Sequence, residues 1–234
     1  MWKELFERLY DFYGSRGWWP LISRAGKEGR DEAGYLPGAG PPSDRSGIFE
    51  VAVGAVLTQN TAWTNAERAL IRLAESNLLT CEGLSSVPPG VLAETIRSAG
   101  YYNSKARKLT QLSDFFYRLD KNGSIYSIPS RDSLLSLWGI GPETADSILL
   151  YGFGVPTFVI DSYTQRIAER IGFFRSGGTS EELKFDVERA LPRNWTVYAE
   201  FHALIVEHGK QVCRKSPLCG NCFLSRFCES RMYT

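Results

Sequence analysis

A surplus of charge of either sign is missing from this chain. Its 234 residues carry 27 Lys and Arg against 26 Asp and Glu, which excludes a uniformly basic, histone-like binder but leaves room for local basic patches. A long hydrophobic run is missing too. The longest apolar stretch, 147–160, is interrupted by Gly152, Gly154 and Pro156, so nothing reaches the roughly 18 unbroken residues of a membrane helix, and no membrane partner is expected. The opening Met1-Trp2-Lys3-Glu4-Leu5 has acid in its first turn and no apolar signal core, so a reducing, cytoplasmic location is expected. No internal repeat is visible. Alternating strand patterns are almost absent; Thr157-Phe158-Val159-Ile160 is the best of them and is too short.

What the chain does have is aromatic content, at 13%, and 43% hydrophobic residues, which rule out disorder as the main state. Helical spacing recurs throughout. It predicts helices over 2–14, 49–57, 63–74, 89–99, 104–119, 130–138, 142–151, 162–171, 180–191 and 196–207, about ten in all. Ser130 is placed to cap one of them. Between them, residues 25–47 are rich in Gly and Pro and read as a long ordered loop.

Cysteine usage is lopsided. Cys81 stands alone, while Cys213, Cys219, Cys222 and Cys228 fall within 16 residues. Such a cluster in a reducing compartment points to metal. A structural zinc usually takes two separated Cys-x2-Cys knuckles. Here a single central Cys-x2-Cys is flanked by single ligands.

A second short motif is Leu137-Trp138-Gly139-Ile140-Gly141-Pro142-Glu143. Gly139 can end one helix at positive φ, and Pro142 suits the first turn of the next. Bare glycines let backbone N–H groups approach an anion such as a DNA phosphate. Gly-x-Gly alone also fits a plain helix–helix turn. Asp161, twenty residues after Gly141, lies at the start of a predicted helix, where capping is its ordinary role.

Together these motifs resemble the helix-hairpin-helix DNA glycosylases of the endonuclease III superfamily. The resemblance covers most of the chain. It implies an all-α, two-domain fold with a DNA cleft between a helical barrel domain (48–151, hairpin 131–151) and a terminal domain (1–47 and 152–234) that holds the iron–sulfur loop 213–228. It also implies a monomer acting on double-stranded DNA that contains a damaged base. Leu57-Thr58-Gln59-Asn60-Thr61 is similar to the segment that plugs the duplex, with Gln59 as the plug. Gly100 to Ala106 is similar to the wedge loop, with Tyr101, Asn103 and Lys105 as DNA contacts; the family commonly has a smaller aliphatic residue in place of Tyr101. Gly139, Ile140 and Gly141 would hold a phosphate. Cys213, Cys219, Cys222 and Cys228 are similar to the family's cluster loop, although their first gap is one residue shorter than usual, and the resemblance implies a 4Fe–4S cluster in preference to zinc.

Asp161 is the implied catalytic carboxylate, stabilising the charge that develops at C1′ as the base leaves. Bifunctional members attack the sugar with a lysine from the hairpin's second helix; Glu143 stands at that position here, and a carboxylate cannot form a Schiff base. The expectation is therefore a glycosylase without lyase activity. Gly17-Trp18-Trp19-Pro20 and Phe49, taken with Glu143, resemble the 3-methyladenine branch. In that branch an aromatic pocket receives the flipped base, which is cationic when alkylated. Adjacent tryptophans also fit a plain core. Two alternatives remain: a glycosylase for deaminated, mismatched or oxidised bases, and a non-catalytic iron–sulfur DNA-binding module. His202 and His208 are expected to be structural.

Overall fold

The computed structural model describes residues 1–119 and 127–230. Every regular element among them is helical. Eleven α-helices follow in order: α1 Trp2–Tyr13, α2 Arg45–Leu57, α3 Trp63–Glu75, α4 Cys81–Ser86, α5 Pro89–Thr95, α6 Tyr102–Leu119, α7 Arg131–Leu135, α8 Pro142–Ser147, α9 Ser162–Ile171, α10 Ser180–Ala190 and α11 Trp195–Gln211. No helix among the described residues is long and apolar enough to cross a membrane.

The chain divides into two compact units. One is made of its ends, Met1–Trp18 and Pro156–Thr234, and the other of Trp19–Val155. This differs from the boundaries expected near 47 and 152. Residues 19–47 belong with the middle unit because α2 holds them there. The buried Glu50 carboxylate accepts from the Ile22 backbone N–H and the Ser23 hydroxyl, and Arg24 pairs with Asp44, the N-cap of α2. Burial pushes the Glu50 carboxyl above the usual range, as expected for a group with little access to water.

In the middle unit, α2 is buried along its whole length from Gly47 to Leu57, and an all-round apolar helix can only sit at a core. Around it lie α3, α6 and α8, with α4 and α5 against α6. The short α4 was absent from the sequence reading. Its N-cap Thr80 accepts from Gly83 N–H at 2.9 Å, and it buries only Cys81 and Leu84, too few positions to display a period. The helix predicted to reach Trp138 ends at Leu135, and α8 passes directly into a π-helical stretch, Ile148–Gly152.

In the unit built from the chain ends, α1 buries Trp2, Leu5 and Leu9, and packs with α10 and α11. Asn194 caps α11, accepting from Thr196 N–H at 2.8 Å. Asp161 caps α9.

Candidate functional site

In the middle unit the hairpin forms as its glycines require. Gly139 has φ +77°, which favours glycine, and a Cβ there would stand 2.3 Å from the Lys108 side chain and have to displace it. Ile140 is buried and anchors the turn, while Gly141 is extended and Pro142 opens α8. Glu143 is exposed in the first turn of α8. Trp138, 45% exposed, carries the Arg107 guanidinium 4.2 Å over its ring and the Lys108 ammonium at 6.0 Å.

Gln59 lies beside the hairpin. Its amide donates to Gly139 O at 3.1 Å and to Thr144 Oγ1 at 2.9 Å, and its carbonyl accepts from Lys108. Tyr101 is 72% exposed with φ +46°, a rare conformation for a bulky residue. Asn103 is exposed nearby in the first turn of α6.

Lys105 departs from expectation. The sequence placed it among the DNA contacts, but it is only 2% exposed. Its ammonium donates to Leu57 O at 2.9 Å and Ala99 O at 2.8 Å. Burial, with Lys108 adding to it, lowers its pKa to about 8.

Phe49 is likewise a core residue. It is buried, with its ring edge-on to Phe116 at 5.4 Å, because an all-buried helix leaves it no outer face. Pro20 is buried. Trp19 is half-buried and makes an aromatic cluster with Trp63 at 5.6 Å and Tyr151 at 5.3 Å. It lies on α2 at Gly54, where a Cβ would come within 3.1 Å of the indole. Trp63 and Tyr151 were not singled out from sequence; each looks like one more apolar helix position.

Trp18 belongs to the other unit. Its ring meets His202 edge-on at 6.1 Å, and the Lys210 ammonium stands 5.5 Å over it. In the same unit Asp161 is buried. Its Oδ1 accepts from Thr164 N–H at 2.7 Å and Thr164 Oγ1 at 2.8 Å, and its Oδ2 lies 3.6 Å from His202 Nε2. Burial raises the Asp161 pKa. The His202 ring and the two Thr164 bonds lower it by more, and the carboxyl rests below its ordinary value. Asp161 is therefore a held carboxylate, as a charge-stabilising group must be. Burial lowers the Lys210 pKa, while Glu207 and Asp161 oppose that shift. Neither Lys210 nor the placement of His202 was legible beforehand, since both lie on α11, far from Asp161 in sequence.

None of the five cysteines is in a disulfide. Cys213, Cys219, Cys222 and Cys228 line one cavity together with His208 and Arg170. Arg170 Nη1 lies 3.4 Å from Cys213 Sγ and donates to Arg214 O, and Arg166 donates to Cys213 O at 2.9 Å. Helix α9 therefore holds the loop by two arginines. Among the described residues no three His, Cys, Asp or Glu side chains are grouped to hold one metal ion.

Comparison with known proteins identifies the family. Residues 53–193 match the family model of the HhH-GPD superfamily base excision DNA repair proteins. A Methanocaldococcus jannaschii protein named as a candidate DNA repair glycosylase is 38% identical over 97% of this chain and 96% of its own. Endonuclease III of Thermotoga maritima is 32% identical over 77% of this chain and 82% of its own. A non-covalent endonuclease III–DNA complex shares the fold with TM-score 0.77 at 23% identity, covering 99% of this chain and 97% of that one. The H. pylori 3-methyladenine DNA glycosylase bound to 1,N6-ethenoadenine gives 0.64 at 25% identity, over 90% and 95%. The chain belongs to the HhH-GPD superfamily of base excision DNA repair proteins.

Proposed function

We propose that this protein is a DNA N-glycosylase that extrudes a damaged base from duplex DNA and hydrolyses its bond to the sugar, with alkylated purines as substrates. The observation that carries the reading is the buried Asp161 carboxylate, kept ionised by Thr164 and His202. As the base departs, positive charge grows at C1′, and a fixed carboxylate stabilises it without first having to reorganise. An alkylated purine already bears positive charge and leaves readily, so the site needs little acid catalysis. Trp18 supplies an aromatic face for a flipped base. Trp19, Trp63 and Tyr151 supply a second group of rings. Gln59 and Tyr101 are the groups that enter the duplex, and the Gly139–Gly141 turn with Arg107 and Asn103 meets the backbone.

Glu143 at the position of the family's hairpin amine supports a product that is an intact strand with an abasic site. One observation favours a second reading, strand nicking by an amine: Lys210 has a lowered pKa and stands over Trp18 in the unit that holds Asp161. Relatives named endonuclease III favour the same reading.

The four cysteines fit a 4Fe–4S cluster better than a single zinc. All four thiols line one shared cavity, so each can supply one ligand to a cluster seated there. The cluster would supply a structural core for the end of the chain; Arg166 and Arg170 would tie that core to α9.

A panel of duplexes with one lesion each, scored for abasic sites, tests the substrate class. Excision of 3-methyladenine above oxidised pyrimidines is expected; the reverse order overturns it. Borohydride added during turnover tests the chemistry. No trapped complex is expected, and one that disappears in Lys210→Ala would establish the second reading.

A further inference from the structure

Two turns in the middle unit share one support. Gln59 and Tyr101 are far apart in sequence, and each sits two residues after a carbonyl that accepts from the same ammonium. Leu57 O, at the end of α2, bonds Lys105 Nζ at 2.9 Å; Ala99 O, at the end of a 3-10 turn, bonds it at 2.8 Å. Helix ends leave carbonyls without intrahelical donors and concentrate partial negative charge. A cation buried between two such ends answers both, and its own desolvation is offset by the same two contacts.

Lys105 also acts through its backbone. Its N–H donates to Tyr101 O at 2.9 Å. Tyr101 is thus bracketed, with the carbonyl two residues before it on the ammonium and its own carbonyl on the lysine's N–H. That bracket explains how an exposed tyrosine keeps φ +46°, a conformation that persists only when its surroundings over-determine it. Asn60, next to Gln59, is another of the few non-glycine residues with positive φ, at +52°. One turn along α6, Lys108 holds the Gln59 side chain itself. The first turns of α6 therefore present two lysines on one face. One fixes the main chain under both turns, and the other fixes the side chain of one of them.

We infer that Lys105 is a positioning residue that sets the spacing between Gln59 and Tyr101, so that both enter the duplex together rather than one at a time. This rests on the glycosylase reading only in assuming that these two residues enter DNA. Lys105 touches no DNA; it acts through the two turns.

The test reads duplex distortion and excision separately. A duplex with 2-aminopurine beside a stable abasic analogue brightens when neighbouring bases are unstacked, whether or not any base is excised. Wild type should give a rise that falls in Gln59→Ala and in Tyr101→Ala. Lys105→Met should fall as far as the Gln59→Ala/Tyr101→Ala double variant. Added to that double variant, it should lower the signal no further, which is the mark of residues acting as one unit. Excision of the preferred lesion should drop on the order of tenfold in kcat with KM nearly unchanged, the consequence of slight misplacement. If Lys105→Met does not fold, Lys105→Gln, which keeps a donor without the charge, is read by the same criteria. Additive losses, or a wild-type fluorescence rise in the Lys105 variant, overturn the inference while leaving the glycosylase reading intact. Normal fluorescence behaviour with no excision of any lesion overturns the glycosylase reading alone.

Discussion

At the scale of single residues, Asp161 shows how a helix cap can also hold a charge. It caps α9 through its bond from Thr164 N–H, and its second oxygen faces His202. Asp161→Asn keeps an acceptor for the cap but removes the charge. The excision rate should fall by roughly two to three orders of magnitude, the scale of one preorganised electrostatic group, with a smaller loss in melting temperature as the stabilising charge is removed. Steady-state excision kinetics and calorimetry check the two parts. The pH dependence follows from the direction of the shift. The folded pKa lies below the unfolded one, so the charge contributes its stability above the ordinary carboxylate range and loses it only as pH falls through the depressed value. The rate should not fall with Asp161 protonation anywhere near neutrality. Lys105 teaches the opposite lesson about legibility. A sequence displays its charge but not its burial, and among basic neighbours it reads as a phosphate contact. Only the two carbonyls around its ammonium reveal a support.

At the scale of elements, helices were legible where an apolar stripe ran for about three turns, as in α1, α3 and α9. The six-residue α4 was not legible, because its two buried positions cannot establish a period, whereas the equally short α8 was marked by Pro142 at its start. The hairpin was legible from Gly139 and Pro142, since positive φ and a helix start each demand a residue type. What the sequence hid is that Gln59 rests on that turn. Gly139→Ala tests the arrangement. Positive φ costs an alanine roughly 1–2 kcal/mol, and the new Cβ must also displace Lys108, the partner of Gln59. For a chain of this size each kcal/mol lowers the midpoint by about 2–4 °C, so thermal unfolding should register a clear loss. Duplex affinity should weaken as well, measured by titration at fixed salt. An unchanged affinity would remove the turn from the DNA-binding surface.

At the scale of the whole molecule, the two units explain why adjacent tryptophans need not act alike. Trp18 belongs with the chain ends and Trp19 with the middle unit, a division that no local pattern in Gly17-Trp18-Trp19-Pro20 could signal. Trp19 packs on Gly54, Trp63 and Tyr151. Trp19→Ala should therefore cost stability, by less than the roughly 3–5 kcal/mol of a fully buried aromatic because the ring is only half-buried, as well as excision, and denaturant unfolding measures it. Within the unit of chain ends, α9 begins at Asp161 and grips the cysteine loop with Arg166 and Arg170. Disturbing the loop should therefore reach the carboxylate. Cys222→Ser should yield protein without the brown colour of a cluster, with a lower unfolding midpoint and weaker excision. A colourless, stable wild-type protein that binds one zinc would contradict the cluster assignment.

The π-helical stretch Ile148–Gly152 has a consequence best expressed as gearing. It continues α8, so the chain turns on one shaft from the hairpin to Tyr151, which meets Trp19. A π turn takes in about one residue more than an α turn, so it absorbs an extra residue while the two ends of the shaft keep their angular phase. Deleting one residue from 148–150 would let the shaft close as plain α-helix with Tyr151 still turned toward Trp19. The aromatic cluster would keep its tooth, so such a deletion should leave duplex binding and excision close to wild type.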